Sequence, residues 1–487
     1  MKRIIASILL VMTLLMSMTA LTSCFGGGNQ TAGEFVMPEG GYTDQKVTIT
    51  FYHSMGQNLE KVLASAIKNF NKLYPNITVV AKKFDSYDVI HEKLGKEVTT
   101  PKGAQASLAI CYPDHVSTYN VAGAVQTLDV LINSTATATR ADGTTEQIGF
   151  TQAQIDDFIE AYWNEGKQFG DGKTYVLPGY KSTELLYYNK TYFDEKGYTV
   201  PTTWDEMAAL CEQIKADPTA DKIIPLGYDS DANFFITLCE QYGSAYTSAT
   251  GENFQFNNDT NKEFVKMLRT WYENGWLITG DVVGEKSYTS NYFKGTTTSG
   301  ISSVMCIGSS GGATYQRPNF TTEGNETVYD FEVGVAPIPQ VNPDNPKVIS
   351  QGPSVCIFKK ADPYEVLASY LFAKFLATDY SFQGGVSQTN GYVPVIKSIQ
   401  ENENYSQWLA GGTNTANLEA YAARITYAHQ DALYTSDVFW GSAEARTQAG
   451  LIIKRSLLEK APNGVDALID SIFADAINKC KTSIGQK

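Results

Sequence analysis

Gly308-Ser309-Ser310-Gly311-Gly312 fits the G-x-S-x-G pattern in which a tight strand-to-helix turn presents a serine hydroxyl as a nucleophile. Ser310 would be that nucleophile, and acyl transfer would then require an acid and a histidine further along the chain. His429 is the one histidine after this loop, and Asp330 or Asp379 could precede it in the order the chemistry needs. A five-residue pattern in a Gly/Ser loop also arises readily by chance, so a serine hydrolase is the remote alternative. The same loop lacks the Lys-Ser/Thr ending of a phosphate-cradling loop.

Metal and thiol chemistry find little support. The four histidines (His53, His91, His115 and His429) do not pair with another ligand at metal spacing, and no metal or cofactor is expected. Beyond Cys24 there are Cys111, Cys211, Cys239, Cys306, Cys356 and Cys480, with wide spacings and no C-x-x-C. An even count outside the cell allows disulfides, but Cys111, Cys306 and Cys356 sit in strand-like apolar runs where a thiol acts as a small hydrophobe. Free thiols are the expectation.

The side-chain inventory favours binding over chemistry. Tyrosine leads the aromatics with 29, ahead of 23 phenylalanines and 6 tryptophans, together 12% of the chain. A tyrosine offers a flat apolar face and a hydroxyl, which suits a wet cleft holding a polar ligand, although any single tyrosine is more often packing. The formal net charge is −14 with no lysine- or arginine-rich run, a poor match for nucleic acid or an anionic lipid surface.

The N-terminus gives an address. Lys2 and Arg3 precede an apolar run, Ile4 to Met16, too short to span a bilayer, which needs about 20 residues. Leu21-Thr22-Ser23-Cys24 then resembles the lipobox of bacterial lipoproteins, in which the cysteine is diacylated and becomes the new N-terminus. This implies a signal peptide over residues 1–24, a lipid anchor on Cys24, a flexible tether over 25–45, and a place on the outer (extracellular or periplasmic) face of the cell membrane. Two acyl chains anchor stably where one would not.

The remaining 460 or so residues are too many for one core and suit two or three domains. Val47 to Tyr52 reads as a first strand, and apolar residues from Leu59 to Leu73 recur at helical spacing. Strands over Ile77–Val80 and Ser107–Tyr112 follow, a βαβ arrangement that implies an α/β lobe with a largely parallel sheet. Thr203-Trp204-Asp205-Glu206 predicts a capping box opening a helix through Lys215. Strands over 331–335 and 354–358, a helix over 364–376 and a broken helical stretch over 442–481 complete the reading.

Five segments in order resemble the extracellular solute-binding proteins of ABC importers, in the sugar-binding group that includes maltose- and glycerol-3-phosphate-binding proteins. They are Ile49-Thr50-Phe51-Tyr52-His53-Ser54-Met55, Gly172 to Pro178, Leu185-Leu186-Tyr187-Tyr188-Asn189-Lys190, Pro201-Thr202-Thr203-Trp204-Asp205-Glu206 and Gly391-Tyr392-Val393-Pro394-Val395. The resemblance covers the chain from about Val47 onward. It implies an α/β, two-lobe periplasmic-binding-protein type II fold with three crossover strands, near Lys181-Ser182, Ile349-Ser350 and Val393-Pro394. One lobe would comprise 46–181 and 349–393, the other 182–348 and 394–487. The implied activity is capture of a sugar, oligosaccharide or related polyol between the lobes and delivery to ABC permease subunits, by a monomer that performs no chemistry.

The resemblance also implies site residues. Tyr87, Ser182, Ser309, Ser310, Gly352 and Tyr392 fall where the glycerol-phosphate binders contact ligand, and Asp114 stands near an acidic ligand residue of theirs. Those binders carry an arginine for the phosphate in the segment matching Asp437 to Gly441. Here that segment has none, Arg446 being a turn and a half onward, while Trp440 stands where maltose-type binders stack a tryptophan. The balance shifts to a neutral sugar, with glycerol-3-phosphate or a glycerophosphodiester as the alternative. A sensor or adhesin on the same fold remains a third class.

Overall fold

The structure, a computed structural model, describes residues 34–284, 288–324 and 326–486. Cys24, its lipobox and the first part of the expected tether lie outside the described residues. Two five-stranded sheets organise the chain. The strands are β1 (Val47–His53), β2 (Ile77–Lys83), β3 (Leu108–Cys111), β4 (Val176–Pro178), β5 (Glu184–Asn189), β6 (Leu226–Tyr228), β7 (Leu277–Thr279), β8 (Met305–Ser309), β9 (Val333–Pro337) and β10 (Ser354–Ile357). The first sheet runs β2-β1-β3-β10-β4 and the second β9-β5-β8-β6-β7.

Both sheets are covered on both faces, which explains their almost unbroken apolar strands. Along β3, Leu108 and Ile110 enter one core while Ala109 and Cys111 enter another. Along β8, Met305 and Ile307 point to one core of the second lobe and Cys306 to the other. This is the period-two alternation of a strand with no wet face.

The sheets are mixed where a largely parallel one was expected, and the reason is topological. In the first sheet only β10 runs against its neighbours; in the second only β5 does. Each is the strand that enters its sheet from the other lobe, so it leaves the inter-lobe edge while its neighbours run towards it. The carboxyl ends of the other strands therefore converge where the lobes meet, the usual ligand position of open α/β sheets.

Three passages of chain lie side by side at that edge. Lys181 and Val393 exchange backbone hydrogen bonds of 3.3 and 2.8 Å, and Ser182 and Gln351 exchange two of 2.9 Å. Gly352 has φ of 101°, and a Cβ there would lie 2.4 Å from the Tyr180 carbonyl oxygen, so no other residue fits this crossing without a shift. After the third passage the packing departs from the expected division. Val395, Ile396, Ile399, Tyr405 and Leu409 enter the first core, because residues 394–410 fold back under the first sheet before the chain joins the second lobe.

The helices that matter for the site are α1 (Gln57–Leu73), α2 (Tyr87–Val98), α3 (Pro113–Val121), α4 (Trp204–Ala216), α5 (Asp231–Gln241), α6 (Ser442–Leu458) and α7 (Val465–Ser483). Helix α4 opens on the predicted capping box, Thr203 and Glu206 each bonding the other's backbone N–H. Proline and glycine at 462 and 464 separate α6 from α7 as read from the sequence.

The expected tether is also corrected. Tyr42 is 1% exposed and its backbone pairs with the 137–139 strand, its N–H donating to the Thr137 carbonyl at 3.1 Å and its carbonyl accepting from Thr139 N–H at 2.8 Å. Its ring meets Tyr74 edge-on at 5.7 Å. Apolar burial draws this stretch onto the first lobe. Tyr42→Ala should therefore lower stability by about 3–5 kcal/mol, the usual cost of removing a buried aromatic, measured by urea unfolding. A change within 0.5 kcal/mol would mean that the segment is a free leash.

Candidate functional site

An open cleft with about 100 Å³ of solvent-accessible volume lies between the lobes at the crossing. The first lobe supplies Tyr112, Asp114, Glu165 and Gln168. The crossing supplies Ser350, Gln351 and Gly352, and the second lobe Asn233, Tyr246, Asp437, Ser442 and Arg446. Asp114 arrives there because β3 ends at Cys111 and α3 starts at once, with Pro113 at its first position. Proline loses nothing at that position, and a carboxylate in the first turn is favoured by the helix dipole. The His115 N–H donates to Asp114 Oδ1 at 2.9 Å, which steadies the side chain.

A buried polar chain orients the crossing residues. Arg446 Nη2 donates to Asn233 Oδ1. Asn233 Nδ2 donates to Glu184 Oε1 and to Gln351 Oε1, both at 2.9 Å. The Gln351 amide oxygen is thus engaged, which leaves its Nε2 over. That nitrogen, Ser350 Oγ, Tyr246 OH and Gln168 Oε1 are buried side-chain atoms with no hydrogen-bond partner among the described residues. Four such atoms around one cleft are costly for a protein to keep unless a polar molecule completes them.

Sequence reasoning placed Asp114 and Gly352 on this cleft, and both line it. Tyr87, Ser182, Ser309, Ser310 and Tyr392 form an adjoining cluster. Tyr87 packs on Tyr112 at 4.8 Å between ring centroids and shares a 3.3 Å hydrogen bond with the Tyr180 hydroxyl, and Tyr180 meets Tyr392 at 4.7 Å. Ser309 Oγ donates to Ser182 Oγ at 3.3 Å, and Tyr392 lies so close over Gly311 that a Cβ there would be 2.4 Å from its ring. Tyr112 joins the two groups.

Two expectations change. Trp440 does not line the cleft and is 48% exposed. Gly441, with φ of 110° and packed on Ile484 and Phe254, turns the chain so that the indole faces outward. The same turn starts α6, on which Ser442 and Arg446, one helical turn apart, both face the cleft. An arginine is therefore present after all, delivered by a helix rather than by the segment where it was sought. Asn233 was also missed, although a lone amide between Asp231 and the apolar Phe234-Phe235-Ile236 run was a visible irregularity.

The nucleophile reading of Ser310 does not fit its surroundings. Ser310 is 0% exposed and its Oγ accepts from the Thr183 N–H at 3.3 Å. His429 bonds the Ile425 carbonyl through Nδ1, and Asp379 caps a helix by accepting from Phe382 N–H. A serine elbow needs an exposed hydroxyl beside a base. The six described cysteines are buried and free. Among the described residues no group of three or more His, Cys, Asp or Glu could hold a metal ion.

Burial pushes the Glu184 carboxyl up from 4.5 to about 7, opposed by hydrogen bonds from Tyr228 OH (2.5 Å) and Asn233. Burial likewise raises Asp231 to about 7. Between the ordinary carboxyl range and pH 7 the folded state thus holds more protons than the unfolded one, so stability falls as pH rises through this window. At about 1.4 kcal/mol per unit, Glu184 contributes a loss of roughly 3 kcal/mol. Glu184→Gln should make the unfolding free energy fall less steeply between pH 4.5 and 7.5. An unchanged slope would contradict the burial argument.

Comparison with known proteins agrees with this geometry. The bacterial extracellular solute-binding protein family matches residues 65–411. The sn-glycerol-3-phosphate-binding periplasmic protein UgpB of Shigella flexneri is 24% identical over 369 residues, 73% of this chain and 75% of that protein. Among solved structures, UgpB of Mycobacterium tuberculosis in complex with glycerophosphocholine has a TM-score of 0.68 at 17% identity, over 90% of this chain and 98% of that one. The GacH receptor of Streptomyces glaucescens, solved unliganded and with acarbose, has a TM-score of 0.67 at 15% identity, over 89% and 99%. These likenesses show the two-lobed fold of periplasmic binding proteins, and the family match extends over well over half of the sequence: the chain belongs to the bacterial extracellular solute-binding proteins.

Proposed function

We propose that this protein is the lipid-anchored receptor of a bacterial ABC importer, which captures a sugar or oligosaccharide between its lobes and delivers it to the permease as a monomer. The observation that carries the reading is the set of oriented, partnerless polar atoms around the inter-lobe cleft, Gln351 Nε2, Ser350 Oγ, Tyr246 OH and Gln168 Oε1. They are donors and acceptors in the mixture that hydroxyl groups use, since a hydroxyl both gives and takes a hydrogen bond. Asp114 adds a charged acceptor, and Gly352 brings backbone to the cleft wall. The adjoining Tyr87, Ser182, Ser309, Ser310 and Tyr392 would extend the site for a longer ligand. Acylation of Cys24 would hold the receptor at the outer face of the membrane; no described helix is long and apolar enough to cross it.

Arg446 favours a second reading. A guanidinium in the cleft suits a phosphate oxygen, and a relative and a structural neighbour are described with glycerol phosphate esters. The two readings separate on one substitution. The soluble chain from Gly26 is screened by thermal shift against mono- and oligosaccharides, polyols and glycerophosphates, where ligand at a thousand times its Kd adds about 4 kcal/mol to stability. With a neutral sugar, Asp114→Asn should weaken binding about 10- to 100-fold and Arg446→Ala less, a charge-assisted hydrogen bond contributing about 1.5–3 kcal/mol. With a glycerophosphate the order should invert. A chain that binds nothing in the panel would remove the support for both readings.

A further inference from the structure

The crossing contains a buried ion pair that the capture reading does not use. Lys181 is 0% exposed, and its Nζ donates to Glu165 Oε2, to the Gly352 carbonyl oxygen at 3.2 Å and to Ser354 Oγ at 3.1 Å. Lys181 itself lies on the first passage and pairs by backbone with Val393 on the third, while Gly352 and Ser354 belong to the second. One lysine thus ties the three passages, its backbone to the third and its ammonium to the second. Glu165 is 5% exposed and reaches this point from the first lobe.

The two oxygens of Glu165 are not equivalent. Oε2 takes Lys181 and, at 2.9 Å, the Ser354 hydroxyl. Oε1 takes no hydrogen bond from any described residue, and Glu165 lines the cleft. A carboxylate clamped through one oxygen, with the other turned to a polar cleft, is a fixed acceptor: its rotamer is already paid for by the ion pair, so a ligand donor meets it without reordering.

We infer that Glu165 is a specificity-determining ligand residue, which accepts one ligand hydroxyl through Oε1 and is held in place by the crossing lysine. Because Oε2 is engaged, Glu165 cannot take a vicinal pair with one hydroxyl on each of its oxygens. Because its clamp is the point where the three passages meet, the same contact ties ligand occupancy to the relative setting of the lobes. This inference rests on the capture reading and adds to it a residue that neither motif nor spacing picked out.

The test compares wild type, Glu165→Gln and the double variant Glu165→Gln/Lys181→Met, by titration calorimetry with maltotriose, sn-glycerol 3-phosphate and glycerophosphocholine, and by thermal unfolding. Removing one partner of a buried pair destabilises, whereas removing both charges is often close to neutral. The expected result is a double variant that unfolds near the wild-type temperature yet binds the recognised probe at least tenfold more weakly, with Glu165→Gln showing the same loss. A double variant that recovers both stability and wild-type affinity would make Glu165 a structural partner of Lys181 only and would overturn the inference while leaving the capture reading intact. A folded wild type that binds none of the three probes would overturn both.

Discussion

Three separate passages of backbone must lie within hydrogen-bonding distance of one another for this molecule to have its shape. The Lys181–Val393 and Ser182–Gln351 pairings impose that constraint, and much else follows from it. The strands entering from the far lobe, β5 and β10, have to run against their neighbours, so the remaining strand ends face the crossing. Gly352 has to be glycine, since its neighbour's carbonyl occupies the space of a side chain. The residues beside these pairings, Ser350 and Gln351, are brought to the cleft wall by backbone geometry rather than by loops free to drift.

The crossing also explains why polar groups tolerate burial there. Arg446, Asn233, Gln351 and Glu184 bond one another in series, and the series ends on Gln351 Nε2, which has no hydrogen-bond partner among the described residues. Such a chain orients each amide before a ligand arrives, which lowers the entropy lost on binding. It has a cost in the free protein, where the unmatched atoms weaken the fold locally. Two cores on either side of each sheet offset that cost, with large aromatic residues such as Phe51, Phe70 and Phe372 packed edge-on at 5.1–5.6 Å. Stability resides in the lobes, and the polar cleft lies at the join between them.

Local features were legible in the sequence. The period-two apolar strands, the capping box at Thr203 and Glu206, and the break between α6 and α7 all depend on neighbours within a few residues. Asp114 was named only through the resemblance, as the acidic residue just past the end of β3, and it lines the cleft. Arg446, Asn233, Gln168 and Tyr246 were not legible; the first three are held by contacts far apart in sequence, Asn233 with Gln351, Arg446 with Asn233 and Gln168 with Thr435. Trp440 was misplaced by a single backbone angle at Gly441, and the esterase pattern around Ser310 by burial, which no five-residue motif encodes. Tyr42, read as leash, was drawn into the first core by a pairing with residues nearly a hundred positions away.

Capture as proposed requires that a solute complete the preorganised polar cleft at the crossing. A crystal structure of the chain grown with saturating ligand from the thermal-shift screen tests it most directly. Ligand density is expected between Asp114, Gln351 and Tyr246, with Gln351 Nε2, Ser350 Oγ and Tyr246 OH each within about 3.2 Å of a ligand polar atom. Ligand bound elsewhere, with those atoms still unpartnered, would contradict it.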